Sequence, residues 1–247
     1  MKVIQEGLLK NTMSKVSIIM PVYNGIQFID KAIQSILNQT ERDFEFIIID
    51  DGSTEPVFDK IKKYTDSRIR AYREDKNRGF AINLNRCLDL VKGYFVMRMD
   101  DDDISCPERI EKQLKKFESG VGFVGCWAKS IDLQDNSIVS YVETDCRSSD
   151  ADIKNIYPYK HCMADPTLIY SKEAVDKVGY YDTEVFNAVD YNYVRRIQQF
   201  FEGRIVEEIL YCRRVGSSTV PRRTDMDVIA LANQRALSHT IIKERPI

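Results

Sequence analysis

The first 128 residues alternate short apolar, β-rich runs with segments whose apolar residues recur at helical spacing. That alternation predicts βαβ units building a mostly parallel sheet with helices against it. Val16 to Met20 reads as a buried strand ended by Pro21, and Phe28, Ile29, Ala32, Ile33, Ile36 and Leu37 give the helix after it. Phe44 to Ile49 is a second strand closing on Asp50-Asp51-Gly52-Ser53, followed by a helix on Val57, Phe58, Ile61 and Tyr64. Ile69 to Tyr72 is a third, with Leu84, Leu88 and Val91 sharing one face of the next helix. Tyr94 to Met99 is a fourth, and it runs directly into Asp100-Asp101-Asp102-Asp103. Pro107 then suits a first helical turn, with Ile110, Leu114 and Phe117 behind it.

After about residue 129 the order loosens. Strands are expected at Ile138 to Val142 and Ile205 to Tyr211, and helices at Ser171 to Val178, Tyr191 to Phe201 and Asp225 to Ile242. No repeat or low-complexity linker divides the chain. At 247 residues one core suffices. We therefore expect a single domain, 1–247, with 15–128 carrying the strand ends and 129–247 forming an extension toward a second substrate.

A net charge of −2 gives no reason to expect nucleic acid, so an anionic ligand must be met by a local device. The six cysteines are widely spaced without a C-x-x-C pair, against a zinc site or disulfide framework and in favour of a reducing, cytoplasmic setting. Met1 to Lys15 lacks a long apolar core, and no run approaches the ~20 apolar residues of a spanning helix. Basic pairs at Arg195-Arg196, Arg213-Arg214 and Arg222-Arg223 leave peripheral membrane contact open, although solvated surface arginines are the preferred reading of them.

Ligands of open α/β sheets bind beyond the carboxyl ends of the strands. Two of those ends are acidic here, Asp50-Asp51 and Asp100 to Asp103. Four adjacent carboxylates repel one another at the end of an apolar strand unless a cation or hydrogen-bond donors compensate. A helix beginning at Pro107 would use one or two as N-terminal charge, but four exceed that need. Oxygen ligands without nearby His or Cys suit Mg²⁺ or Mn²⁺, which take one or two carboxylates and complete their shell with phosphate oxygens and water. A diphosphate would supply those oxygens.

The segments Val16 to Gly25 (VSIIMPVYNG), Ile48 to Thr54 (IIDDGST), Asn77-Arg78-Gly79 and Asp100 to Gln113, taken in order, resemble the family 2 glycosyltransferases of the GT-A fold. The resemblance implies a nucleoside-diphosphate-sugar donor, a divalent metal and inversion at the anomeric carbon. Carried over by position, it implies that Pro21 and Tyr23 line a nucleoside pocket and that Asp51 accepts from the base, most simply a uracil N–H. Arg78 would approach base or phosphates, Asp100 and Asp101 would lie by ribose and diphosphate, and Asp102, with Asp100, would hold the metal. Singly, Pro21 also reads as a strand stop, Tyr23 as packing, Asp51 as a turn former and Arg78 as a surface charge.

An inverting transfer needs a base for the acceptor hydroxyl. Asp190, in Val189-Asp190-Tyr191-Asn192, is similar to the acidic position of the family's Glu-Asp-Tyr-Asp type segment, although Val189 and Asn192 replace the flanking acids; N-cap of a helix is its other reading. Tyr211 to Ser218 resembles the family's Tyr-Arg-x-His segment with Val215 in the place of the histidine. Trp127 and Asp165 offer an aromatic face and a carboxylate for a sugar, and otherwise read as a core aromatic and a turn. The resemblance points to surface polysaccharide or lipid-linked oligosaccharide synthesis. Two other readings stay open. One is a phosphohydrolase of haloacid-dehalogenase type, whose D-x-D normally follows the first strand; the other is a domain that binds a nucleotide sugar without turning it over. No G-x-G-x-x-G follows the first strand, against a nicotinamide oxidoreductase.

Overall fold

The computed structural model describes residues 15–132, 138–140, 149–155, 163–185, 188–215 and 226–244. Its strands are β1 (Val16–Val22), β2 (Phe44–Asp50), β3 (Ile69–Arg73), β4 (Phe95–Arg98), β5 (Ile104–Ser105), β6 (Val121–Asp132), β7 (Ile138–Ser140), β8 (Ile169–Ser171) and β9 (Glu202–Val215). The helices are α1 (Ile29–Leu37), α2 (Val57–Ile61), α3 (Phe80–Leu90), α4 (Arg109–Leu114), α5 (Asp150–Asn155), α6 (Lys172–Val178), α7 (Val189–Ile197) and α8 (Met226–Ser238).

The strands join one sheet in the order β3-β2-β1-β4-β8-β6-β9-β5, with β7 beside β6. The β1, β2, β3 and β4 pairings are all parallel, as the βαβ pattern requires. Beyond β4 the sheet is mixed: β8 runs antiparallel to both β4 and β6, β6 and β9 are parallel, and β5 and β7 are antiparallel edges. The second half thus continues the sheet itself through the β4–β8 pairing.

Strands covered on both faces read as continuous apolar runs because each alternate residue meets a different helical layer. Ile18, Met20, Phe46 and Ile48 pack into one core with Ile29, Ile33 and Ile36 of α1 and Val57 and Ile61 of α2. Their neighbours Ile19, Ile47 and Ile49 face the opposite core with Leu84 and Cys87 of α3, Val175 and Val178 of α6 and Val194 and Ile197 of α7. The cysteines Cys87, Cys106, Cys126 and Cys212 are in no disulfide; Cys146 and Cys162 lie outside the described residues.

Several boundaries differ from the sequence reading. Pro21 does not end β1, which runs on to Val22 with Pro21 opposite Ile49 of β2. The N–H that proline lacks would point toward β4, whose pairing with β1 has already stopped at Ile19 opposite Arg98, so no ladder bond is lost. β4 is shorter than expected, and β9 longer at both ends. Of the expected closing helix, Met226–Ser238 is helical and Asp225 lies outside the described residues, as do Tyr141 and Val142 of the strand expected after Ile138. Three of these arginines are not the solvated surface groups expected: Arg196 is buried and donates to the carbonyls of Val178 and Tyr180 at 2.5 and 2.6 Å, and Arg213 and Arg214 are buried in β9. Arg222 and Arg223 lie outside the described residues. No described helix is long and apolar enough to cross a membrane.

Because β2 and β3 lie on one side of β1 and β4 on the other, the strand order reverses between β1 and β4, the point beyond whose carboxyl ends open α/β sheets form their ligand crevice. Gly25 sits on the β1 side of it at φ 78°, and a Cβ there would stand 2.9 Å from Oδ2 of Asp101. Gly25→Ala is therefore expected to cost about 1–2 kcal/mol in chemical denaturation through left-handed strain, and to displace Asp101 as well; a stability equal to wild type would show that the turn does not need glycine.

Candidate functional site

The nucleoside-side residues of the sequence reading gather on one rim. Asn24 follows β1 at φ 63°; its N–H donates to Ser53 Oγ (2.8 Å) and its Oδ1 accepts from the Thr54 N–H (3.0 Å), tying the turns after β1 and β2 together. Asp50 is buried, accepts from the Ser53 N–H at 2.9 Å and pairs with Arg73 at 3.5 Å. Asp51 accepts from the backbone N–H groups of Arg78 (2.7 Å) and Gly79 (2.9 Å), so its carboxylate orders the loop that leads into α3. Gly52 makes this approach possible, since a Cβ there would lie 2.6 Å from the Lys76 backbone. Arg78 pairs with Glu74 at 3.2 Å and stays half-exposed, Tyr23 stands 47% exposed at the rim, and Pro21 is buried in β1.

The acidic loop is braced from β9, more than a hundred residues away. The Arg214 N–H donates to Oδ1 of buried Asp103 (2.6 Å) and its Nε to the Asp102 carbonyl (2.7 Å), while its guanidinium lies over the Phe28 ring. The Asp100 N–H points at the Tyr211 hydroxyl at 3.4 Å. Charge nevertheless accumulates. Burial, and then the neighbouring Asp102 and Asp100, push the Asp101 and Asp103 carboxyls well above the usual range. Burial and Asp100 raise Asp102 to about 6, against the pull of Arg214 and Arg213.

A third group was missed in the sequence. Arg98, the last residue of β4, is fully buried; its Nε donates to Asp165 Oδ2 (2.7 Å), its Nη2 to Asp100 Oδ1 (2.6 Å) and its Nη1 to the Met99 carbonyl (2.9 Å). The signal was available, because an arginine within the apolar run Phe95-Val96-Met97-Arg98-Met99 demands carboxylate partners once buried. Asp165 opens a 3-10 turn at Asp165–Thr167 and accepts from the Tyr170 hydroxyl at 3.0 Å. With 4% exposure and both oxygens engaged it braces Arg98 and is not the open sugar contact expected. Burial raises its carboxyl above the usual range, Arg98 opposes this, and the charges of Asp190 and Asp100 add to it. Asp190 is therefore in the same electrostatic neighbourhood. It lies in the first turn of α7, whose N-cap is Ala188, so the capping role does not fall to it. Trp127 is half-buried on β6, opposite Ile209 of β9. Val215 closes β9 directly after Arg214.

No three described His, Cys, Asp or Glu side chains are arranged to hold an ion by themselves. A hard cation would fit the donor set on other grounds: Asp102 and Asp100 could supply oxygen ligands in a loop whose negative charge the arginines only partly offset, and the remaining ligands would come from phosphate and water.

Against this geometry, the model of glycosyl transferase family 2 matches residues 17–179, from β1 through α6. The chain belongs to that family. Among the relatives of this glycosyltransferase is the O-antigen biosynthesis glycosyltransferase WbnJ of Escherichia coli, 33% identical over 186 residues and covering 74% of this chain and 71% of WbnJ. An uncharacterized glycosyltransferase of Methanocaldococcus jannaschii is 28% identical over 207 residues, covering 81% of this chain and 70% of the relative. S. aureus TarS 1-349 in complex with UDP superposes with a TM-score of 0.66 at 18% identity, over 91% of this chain and 72% of that one. The mannosyltransferase PcManGT of Pyrobaculum calidifontis, in complex with GDP-Man and Mn²⁺, gives 0.64 at 17%, over 93% and 64%. At that identity these two carry the fold, which is the GT-A type. The family match weighs against the phosphohydrolase and oxidoreductase readings for this glycosyltransferase.

Two outcomes test the electrostatics. Arg98→Met leaves Asp165 a buried charge without its partner, so the glycosyltransferase should lose about 3–5 kcal/mol in urea denaturation, with Arg98→Met/Asp165→Asn recovering part of it. For Asp102, a folded-state value raised from 3.8 to about 6 means a stability penalty present in full above pH 6 and gone below pH 4. Asp102→Asn should therefore be more stable than the ion-free wild type by about 1 kcal/mol at pH 7.5, with the advantage fading toward pH 4 in thermal melts.

Proposed function

We propose that this glycosyltransferase moves a hexose, with inversion and with metal assistance, from a UDP-sugar to a hydroxyl of a saccharide or lipid-linked acceptor in surface polysaccharide synthesis. The observation that carries the reading is the under-compensated acidic loop beyond β4, tied through Arg98 to Asp165, on which the charge of Asp190 acts. TarS with UDP and WbnJ of O-antigen synthesis support the donor and setting by likeness; PcManGT with GDP-Man and Mn²⁺ supports the metal and keeps GDP as the competing nucleotide.

In this reading the domain is one unit, 1–247, with the donor held by residues 15–128 and the acceptor met by 129–247. Tyr23 and the Asp51–Arg78 loop hold the nucleoside, with Pro21 shaping the strand end beneath it. Asp51, 3% exposed with both oxygens held by backbone N–H groups, serves the nucleoside by ordering the loop that carries Arg78, and Arg78 reaches the base or phosphates. Asp100 and Asp101 border ribose and diphosphate. Asp102, with Asp100, would hold Mn²⁺ or Mg²⁺, which when bound neutralises charge developing on the departing diphosphate. Arg98 keeps Asp100 oriented, since one of its oxygens is fixed and the other is left for a ligand. Asp190 takes the proton from the attacking acceptor hydroxyl. Trp127 stays a candidate contact for the sugar or acceptor. Work on lipid-linked acceptors implies a cytoplasmic enzyme at the inner face of a membrane.

In a thermal-shift panel of UDP-, GDP-, CDP- and dTDP-sugars with and without Mn²⁺, UDP-sugars should raise the midpoint only when the metal is present. No shift with any of them would overturn the donor reading, and a shift confined to GDP-sugars would replace UDP by GDP. Asp190→Asn should keep UDP binding while kcat falls at least about 100-fold; unchanged transfer would remove Asp190 from the mechanism.

A further inference from the structure

Phe80 opens α3 immediately after Gly79, whose N–H is fixed by Asp51 Oδ2 at 2.9 Å. One face of its ring lies over the Arg98 guanidinium, 5.0 Å from the centroid. Arg98 is itself held by Asp100 and Asp165, so the ring rests on an immobilised base at the junction of the acidic loop and the Asp165–Asp190 side of the crevice. Despite that anchoring Phe80 is 47% exposed. A large apolar surface is thus left uncovered beside a concentration of carboxylates, where an apolar ring gains nothing from water.

We propose that Phe80 is the platform for the pyranose of the donor, and so a residue that selects a sugar nucleotide over the free nucleotide. This rests on the donor site proposed above. A pyranose has a face of C–H groups and a rim of hydroxyls, which fits an aromatic face bordered by acceptor oxygens. The nucleobase is the less fitting occupant, because Tyr23 directly follows β1 whereas the Phe80 ring stands over Arg98, the partner of Asp100 and Asp165. The Arg98 contact also orients the ring: its buried face is taken by the cation, and only the opposite face is offered.

The test compares wild type, Phe80→Ala and Phe80→Trp. UDP affinity is titrated in the presence of Mn²⁺, and kcat and KM are measured by nucleoside diphosphate release with whichever of UDP-glucose, UDP-N-acetylglucosamine or GDP-mannose the wild type turns over; GDP replaces UDP in the titration if GDP-mannose is used. Phe80→Ala should raise KM for the sugar nucleotide about tenfold with nucleotide affinity within about twofold, and Phe80→Trp should stay near wild type. The ring is exposed, so the thermal midpoint should move by less than about 2 °C. An unchanged KM, or an equal loss for sugar nucleotide and free nucleotide, would overturn the assignment, the second result giving the ring to the nucleobase. Failure of the underlying donor reading shows differently, in a wild type that neither binds nor turns over any of the three donors, and it removes the platform with it.

Discussion

Repulsion among the carboxylates that follow β4 is the constraint around which the site is organised. A run of Asp100 to Asp103 at the end of a buried strand is costly in isolation, and the fold answers it with two arginines brought in from opposite directions. Arg98 comes from below, within β4 itself, and ties Asp100 to Asp165. Arg214 comes from β9 and takes hold of Asp103 and the Asp102 backbone. The compensation is uneven. Asp100 has one oxygen engaged by Arg98, the carboxyls of Asp101 and Asp103 are pushed well above the usual range by burial and their neighbours, and Asp102 is raised to about 6. A loop left under-compensated at several carboxylates is suited to a cation that arrives with its ligand.

The sheet explains why these groups meet. The reversal of strand order between β1 and β4 opens the crevice, and β8, running antiparallel to β4, carries Asp165 in the turn just before it to a place beside Arg98. The β6–β9 pairing, the longest in the sheet, then returns Tyr211 and Arg214 to the same end. Ladders formed by residues far apart in the chain thereby deliver side chains to a single strand end.

Much of this was legible before the structure. The parallel half announced itself through continuous apolar runs and helical spacing, because strands buried on both faces leave no ambiguity of pattern. The rim of Tyr23, Asp51 and Arg78 and the loop of Asp100 to Asp103 were legible as polar residues at strand ends. What could not be read was pairing across long sequence separation. Asp165 looked like a turn residue open to a sugar, and only the antiparallel return of β8 makes it a buried partner of Arg98. Likewise Arg213 and Arg214 resembled surface charge because nothing local shows that β9 lies against the acidic loop. Pro21 was misread for a related reason, since whether a proline stops a strand depends on where its neighbour ends.

The bracing of Asp103 and Asp102 by Arg214 spans 111 and 112 residues, so the two partners leave a ribosome at different times. At translation speeds of roughly 5–20 residues per second, the aspartates wait on the order of 5–20 s before their arginine exists. During that interval the nascent parallel half can pair its first strands, and its charged tip has Arg98 but not Arg214 to offset it. Competence to hold a ligand is thus a property completed late in synthesis, and an incomplete chain ending before β9 would carry the acidic tip without the contacts that fix Asp102 and Asp103.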